Sequence, residues 1–339
     1  MAPRSYRIDV STPENKRMVT TATLRKGDRI LAEEPLVSLD IGLNTLYNPD
    51  DFFEETKKYN GTEALETAYN NLTRASQKAV EALYRVEGDN VSSIVSLNAF
   101  EYEEEVNGQR HCVLRLYKDL SRLNHSCEPN AIVEWNPTLS KGTLHALVAI
   151  PAGQELWIDY MAGAERCLRT TTNRRADLSR YYNFLCECHV CSNNRNGKSA
   201  NNRLRVRALR LYTEMSDPED QGDESDEERR VRKVRLATEY VSALETLNLK
   251  DGKLAWAKQK LAEYHERGYD FAVDEPGVEH CDVCRDEQSP RGHLDSAAEA
   301  LEGAFRVHVK CCGRDHPVLE DDRARITELR LVAAGCASP

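Results

Sequence analysis

The sequence predicts an α+β chain: a β-rich first half with a helical insertion, closed by a cysteine cluster, and then an α-helical second half. Three observations predict it. Short β-branched and apolar runs separated by turn residues fill 18–40 and 97–160. Apolar residues recur at helical spacing in 50–84 and across 200–335. Cys186, Cys188 and Cys191 fall within six residues of one another.

Taken in order, Met18, Val19, Ile30, Leu31, Leu36 and Val37 flank the turn Lys26-Gly27-Asp28, which predicts two short strands. Phe52, Phe53, Leu65, Ala68, Tyr69, Leu72, Ala75, Ala79 and Leu83 then keep a helical period, placing a helical insertion over about 45–95. Strands resume at Cys112-Val113-Leu114, Ala131-Ile132-Val133-Glu134-Trp135 and Leu144-His145-Ala146-Leu147-Val148, with turns expected at Pro137, Gly142 and Pro151-Ala152-Gly153. Past the cysteine cluster, three apolar stripes appear: Leu204, Ala208, Leu211 and Met215; Val234, Ala237, Val241 and Leu244; Ala297, Leu301, Phe305 and Val309. They predict paired antiparallel helices over 200–335. Asp217 to Glu228 holds eight acids and almost nothing apolar, so 217–228 reads as a solvated loop.

A length of 339 residues with 40% hydrophobic residues suffices for two domains with real cores. Lysine and arginine number 46 against 56 acids, a net charge of −10, which argues against nucleic-acid binding through general basicity and suits a lysine-rich partner or plain solubility. No 18-residue apolar run exists and the N-terminus lacks the apolar core of a signal peptide, so no membrane contact is expected and the expected location is intracellular, in nucleus or cytoplasm. Eleven cysteines is an odd number, which in a reducing compartment favours thiolate metal binding over a disulfide framework.

Three thiolates in Cys186-Glu187-Cys188-His189-Val190-Cys191 want a fourth partner, because zinc is tetrahedral with arms of about 2.3 Å. His189 would have to bend back within a tight loop; a thiolate from a remote segment is the easier source. Such a staple closes a long loop, and chelation should loosen the flap it pins.

Arg122-Leu123-Asn124-His125-Ser126-Cys127-Glu128-Pro129-Asn130, followed by Glu155-Leu156-Trp157-Ile158-Asp159-Tyr160, resembles the two C-terminal motifs of SET-domain lysine methyltransferases. Phe184-x-Cys186-x-Cys188-x-x-Cys191 is similar to the post-SET zinc cluster, and Arg175 to Tyr182 resembles the arginine-bearing helix before it in the SET and MYND methyltransferases and their fungal relatives. Leu24 to Pro35 resembles the opening strands, and Leu97-Asn98-Ala99-Phe100 the Asn-x-Phe stretch. The resemblance covers about 10–192. No cysteine precedes Cys112, so the MYND finger is absent and the chain is similar to MYND-less fungal members.

The resemblance implies a SET domain over 1–165, a post-SET segment over 166–195 and a tetratricopeptide-like helical domain over 196–339, in which Cys311 to Pro317 forms a helix end and turn. It implies an S-adenosylmethionine-dependent protein-lysine N-methyltransferase acting on histone, as a chromatin regulator, or on another lysine-rich protein, with a protein partner possible at the helical domain. Zinc is then held by Cys127, Cys186, Cys188 and Cys191; Tyr160 is the catalytic tyrosine and Tyr182 walls the lysine channel; Asn98, Asn124, His125 and Phe184 hold the cofactor.

Where the family carries a Gly-x-Gly turn, this chain has Asn15-Lys16-Arg17. A left-handed conformation at Arg17 would cost about 1–2 kcal/mol, so the turn is remodelled or strained, while Lys16 or Arg17 can pair with the methionyl carboxylate. The alternative functions rest on this replacement, the second also on Trp157: a SET-scaffold binding protein, or a SET scaffold turned to a small-molecule substrate. Trp157 replaces a smaller residue and either narrows the pocket or fills a core gap. His280-Cys281-x-x-Cys284, with His293 or Cys311-Cys312, has the spacing of a second zinc site but lacks a paired CxxC and reads as unliganded thiols. Cys112, Cys167 and Cys336 read as buried or incidental, Glu101 to Glu105 as a solvated face, and Arg229 to Lys233 as a helix face.

Overall fold

Tyr6–Val10 (β1) and Lys16–Thr20 (β2) pair antiparallel, Ile8 opposite Met18, so that alternation buries Tyr6 and Met18. The computed structural model describes residues 4–10, 16–43, 63–85, 90–161, 164–193, 199–216, 225–274 and 290–335. The chain forms two compact units, Met1–Ala162 with Arg175–Cys188, and Gly163–Arg174 with His189–Pro339.

In the first unit, Arg29–Glu33 (β3) and Val37–Leu43 (β4) follow the turn read at Lys26-Gly27-Asp28, where Gly27 takes a φ of 87° that suits glycine. Glu63–Asn70 (α1), Arg74–Glu81 (α2) and Val91–Asn98 (α3) make the helical insertion, with the side chains of Thr73 and Asn90 capping α2 and α3. Phe52 and Phe53, and the rest of 44–62, lie outside the described residues. Phe100–Val106 (β5) and Gln109–Leu116 (β6) form a hairpin through Asn107-Gly108, both at positive φ as a tight hairpin turn requires. The sheet order β4-β6-β5 buries Val37, Leu114 and Leu116 against Leu65, Val80, Ile94 and Val95 of the three helices.

A second sheet runs β3-β9-β8, formed with Ala131–Asn136 (β8) and Lys141–Ala146 (β9). Asn124–His125 (β7) and Trp157–Ile158 (β10) pair in parallel. The core beneath joins Met18, Ile30, Tyr117, Leu120, Leu123, Leu144, Leu156 and Ile158. Gly142 is not a turn residue. It lies in β9 opposite Trp135 and Glu33, and the reversal falls before it, with Ser140 at a φ of 53°. The glycine serves packing, since a Cβ there would stand 2.7 Å from the Tyr117 ring and 2.8 Å from Leu120.

The second unit is built of Ala200–Ser216 (α5), Asp226–Thr246 (α6), Gly252–Asp274 (α7), Pro290–Cys311 (α8) and Val318–Gly335 (α9), each packed on the next. Thr171–Tyr182 (α4) precedes the cysteine cluster in the chain. The loop read over 217–228 ends earlier than expected: Ser225 caps α6 and Glu228 returns the bond to Ser225 N–H, a capping box, while 217–224 lie outside the described residues. The buried face of α8 runs through Leu294, Ala297, Ala298, Leu301 and Ala304, and Phe305 and Val309 fall to its edge. Repeated steps of four drift by about 40° each on a helix of 3.6 residues per turn, so a strict 297-301-305-309 stripe leaves the core. Cys311 ends α8, and Gly313 at a φ of 87° turns the chain as expected. Cys281 and Cys284 lie outside the described residues.

His265 of α7 and His293 of α8 stack at 5.8 Å, each with a buried Nδ1 that makes no hydrogen bond. Burial, with His293 beside it, pushes His265 down from 6.5 to about 4. Burial and then Arg230 push His293 in the same direction.

Two stability predictions follow from this packing. Gly142→Ala should cost about 1–3 kcal/mol, read as a lower urea midpoint; an unchanged midpoint would contradict the Tyr117 contact. For His265 the unfolded chain binds more protons than the folded one between its two pKa values, so its contribution is full above about 6.5 and is lost as pH falls towards about 4. The loss should be on the order of 2 kcal/mol, seen as a lower midpoint at acid pH than at neutral pH, and His265→Phe should shrink that difference.

Candidate functional site

The two-residue strands β7 and β10 are too short to persist alone. Chain 153–158 is held from both sides instead. On one side Thr20 N–H donates to Gln154 O at 2.9 Å and Leu156 N–H to Met18 O at 2.8 Å. On the other, Ser126 N–H donates to Ile158 O at 2.9 Å, while Asn130 receives Trp157 N–H on Oδ1 at 2.8 Å and donates from Nδ2 to Glu155 O at 2.9 Å. An amide side chain here replaces a missing strand, since buried backbone groups must be bonded. The approach to β7 is fixed by Glu33, whose carboxylate accepts from the N–H groups of Lys118, Asp119 and Leu120 at 2.8–3.2 Å. Burial raises the Glu33 pKa, with those three donors pulling the other way.

Tyr160, just past β10, donates from its hydroxyl to Leu123 O at 2.5 Å and from its N–H to His125 Nδ1 at 3.0 Å. Tyr182 donates to Tyr160 O at 3.0 Å, and the two rings lie 4.9 Å apart. Phe184 meets Tyr160 edge-on at 6.2 Å and His125 at 6.1 Å. The motif at 124–130, the Tyr160 strand and the end of α4 therefore meet in one aromatic cluster. Burial raises the Tyr160 phenol pKa well above its ordinary value, with Tyr182 and Glu155 adding to it, so the group is a neutral phenol at physiological pH.

The sulfur atoms of Cys127, Cys186, Cys188 and Cys191 lie within 4.8 Å of one another. Cys127 Sγ and Cys186 Sγ are 3.9 Å apart, too far for a disulfide and close to the edge of about 3.8 Å that four zinc–sulfur arms of about 2.3 Å generate. His189 is turned to Asn193 at 2.8 Å instead. Polar groups already face the sulfurs: His125 Nε2 stands 3.3 Å from Cys127 Sγ, and the buried Arg174 guanidinium donates to Cys191 Sγ at 3.6 Å. Four soft thiols with charge-compensating donors fit a divalent zinc ion.

The remaining expected site residues differ in what they leave available. Asn98 donates both amide protons to backbone, to Ile94 O at 2.7 Å and Tyr84 O at 2.8 Å, and so braces the end of α3. Asn124 donates to Glu155 Oε1 at 2.8 Å, and Arg17 pairs with Glu155 at 3.8 Å. Lys16 Nζ donates to Ala82 O at 3.1 Å, a carbonyl that also receives Arg122 at 3.2 Å. Burial and the neighbouring Arg122 lower the Lys16 pKa. Asn15 lies outside the described residues, and Lys16 and Arg17 are the first residues of β2, outside the left-handed region. At Arg17 the left-handed strain therefore does not arise. Trp157 fills no core gap, being 36% exposed. Glu101 to Glu105 is strand β5 rather than a uniform solvated face, with Glu104 paired to the buried Arg115 at 2.7 Å and Glu101 accepting from Cys112 at 3.1 Å.

Sequence reading missed Arg122 and Glu155, although both stand inside the quoted motifs. Their signal is position alone, a charged residue flanking the Asn-His pair and another heading the tyrosine strand.

Residues 16–161 match the SET domain family model. The chain is 27% identical over 190 residues to histone-lysine N-methyltransferase set5 of Schizosaccharomyces pombe, covering 55% of this chain and 50% of that protein. It is 27% identical over 172 residues to N-lysine methyltransferase SMYD2-B of Xenopus laevis, covering 50% of this chain and 38% of that protein. The chain thus matches half or less of the length of these relatives. A solved structure, the SET domain of LSMT bound to lysine and AdoHcy, aligns over 100% of this chain and 93% of that one at 11% identity and a TM-score of 0.31. The clasped strand, its tyrosine and the motif that holds it all lie inside the matched span, so the SET domain match rests on residues 16–161 of the chain.

Proposed function

We propose that this chain is a protein-lysine N-methyltransferase that uses S-adenosylmethionine, with a zinc ion in its four-cysteine group and a histone or another lysine-rich protein as substrate. The observation that carries the reading is the Tyr160 phenol, bonded to Leu123 O at 2.5 Å within the Tyr182 and Phe184 rings, on a SET domain whose relatives are named lysine methyltransferases.

When bound, S-adenosylmethionine supplies an electrophilic methyl group. The chain's part is to deliver a neutral lysine amine in line with it. A free lysine has a pKa of about 10.4, and a Tyr160 held above its ordinary pKa is no base for that proton at neutral pH. Tyr160 instead orients the amine through its oxygen, since its own proton is committed to Leu123 O, and the amine proton leaves to solvent before the site closes. Tyr182, bonded to Tyr160 O, walls the same channel. Lys16, Arg17 and the neighbouring Arg122 offer positive charge to the cofactor carboxylate, Asn124 a polar contact, and Phe184 an aromatic face for the adenine. His125 contributes through its backbone, its ring being engaged with Tyr160 and Cys127. Asn98 acts as a brace behind this site.

Thiolate ligation suits a reducing compartment, nucleus or cytoplasm, and among the described residues no helix is long and apolar enough to cross a membrane. The stacked helices α5 to α9 we read as a tetratricopeptide-like partner surface.

Two measurements test the proposal. Calorimetry should detect S-adenosylmethionine binding, and labelled methyl should pass to histones; Tyr160→Phe should cut transfer by about two orders of magnitude with cofactor binding kept. No binding would sink the enzyme reading in favour of a binding module, and transfer only to a small molecule would redirect it. Elemental analysis should give a single zinc ion per chain, and Cys186→Ser should release it to a chelator that leaves the parent loaded. A chain that is folded and metal-free would overturn the zinc assignment.

A further inference from the structure

The His125 ring stands between two functional groups. Tyr160 N–H donates to Nδ1 at 3.0 Å, and Nε2 lies 3.3 Å from Cys127 Sγ. A ring nitrogen that accepts a backbone N–H must hold its lone pair there, so the proton of the neutral ring sits on Nε2 and points at the sulfur. Tyr160 is fixed in turn by this bond, by Leu123 O and by Tyr182.

We infer that His125 is a positioning residue that couples the metal site to Tyr160: its Nε2–H donates to the Cys127 thiolate, which holds the ring at the angle where Nδ1 receives Tyr160. A thiolate carrying part of the charge of a four-sulfur zinc centre is a far stronger acceptor than a thiol, so metal loading orders the ring and metal loss releases it. The surroundings favour this orientation. The ring is packed at 5.3 Å from Tyr160 and 6.1 Å from Phe184, and the residue is buried. The Asp159 carboxylate stands 3.7 Å from Nδ1, beyond hydrogen-bond reach, whereas Tyr160 N–H is 3.0 Å from it, which assigns Nδ1 to Tyr160. Zinc therefore does more than staple a flap. It sets the orientation of the tyrosine strand through one imidazole.

The importance of this coupling for methyl transfer rests on the proposed function, but the coupling can be measured without cofactor or substrate. Nitrogen-15 histidine labelling of the zinc-loaded full chain should show His125 as the Nε2-protonated tautomer; the Nδ1-protonated tautomer would overturn the inference. Two variants divide the ring's roles. His125→Gln keeps a donor near the Nε2 position, and His125→Asn keeps an acceptor near Nδ1. Zinc transfer to a chelator should stay within about threefold of the parent in His125→Gln and speed up about tenfold or more in His125→Asn. Exchange of the Tyr160 amide should speed up about tenfold or more in His125→Gln and change little in zinc-loaded His125→Asn. Equal shifts of both readouts in both variants would mean general loosening and would overturn the coupling. Should a variant not fold, the tautomer of the parent still decides. A correct tautomer and variant split without methyl transfer would leave the coupling standing and remove only the proposed activity.

Discussion

Everything in the site depends on how residues 153–161 are held. This short stretch has no long strand to lean on, yet it carries Asp159 and Tyr160 and is buried through Leu156 and Ile158. Its backbone groups are satisfied by β2 on one side and by Ser126 and Asn130 on the other. Leaving such a group unpaired inside a core costs about 1–3 kcal/mol, so losing Asn130 would unpair both Trp157 N–H and Glu155 O together. The motif at 124–130 is consequently architectural before it is chemical.

The same economy of groups decides which residues remain for chemistry. Several polar side chains expected at the cofactor are already committed: Asn98 to Ile94 O and Tyr84 O, and His125 to Tyr160 and Cys127. What is left facing the aromatic cluster is a neutral phenol and two further rings, Tyr182 and Phe184. With the Glu155 and Asp159 carboxylates engaged by Asn124 and by Met161 N–H, this cluster suits a displacement governed by alignment and exclusion of water rather than by strong acid–base catalysis. Fixed charge is kept at the edges, where Lys16 and Arg122 share Ala82 O and Arg17 meets Glu155.

Much of this was legible in the amino-acid order. Two spaced motifs and a Cys-x-Cys-x-x-Cys run carry specific residue types at fixed offsets, whereas the Asn-Gly pair under the hairpin of β5 and β6, a strong turn signal, went unread. Other features needed three dimensions. Strands β7 and β10 are two residues long, below any periodicity, and Gly142 resembled a turn glycine because sequence does not show the Tyr117 ring that excludes a Cβ. Ser225-x-x-Glu228 is a readable capping box, but the density of acids around it obscured the start of α6. The stripe of α8 was displaced by counting in fours. The double engagement of His125 has no sequence signal at all, since its two partners lie on opposite sides of one ring.

Arg17 shows how a strand accepts a large side chain where the pattern has glycine. A glycine turn is needed where backbone enters the left-handed region, but Lys16 and Arg17 begin an extended strand, so side chains are admitted at no conformational cost. Alternation then sends Arg17 outward and buries Met18 completely, and Met18 O still receives Leu156 N–H at 2.8 Å. The backbone contact that holds the tyrosine strand thus coexists with the cationic side chain of Arg17. An anionic group brought to this edge would meet the flexible ammonium of Lys16 and guanidinium of Arg17, at the cost of ordering those arms.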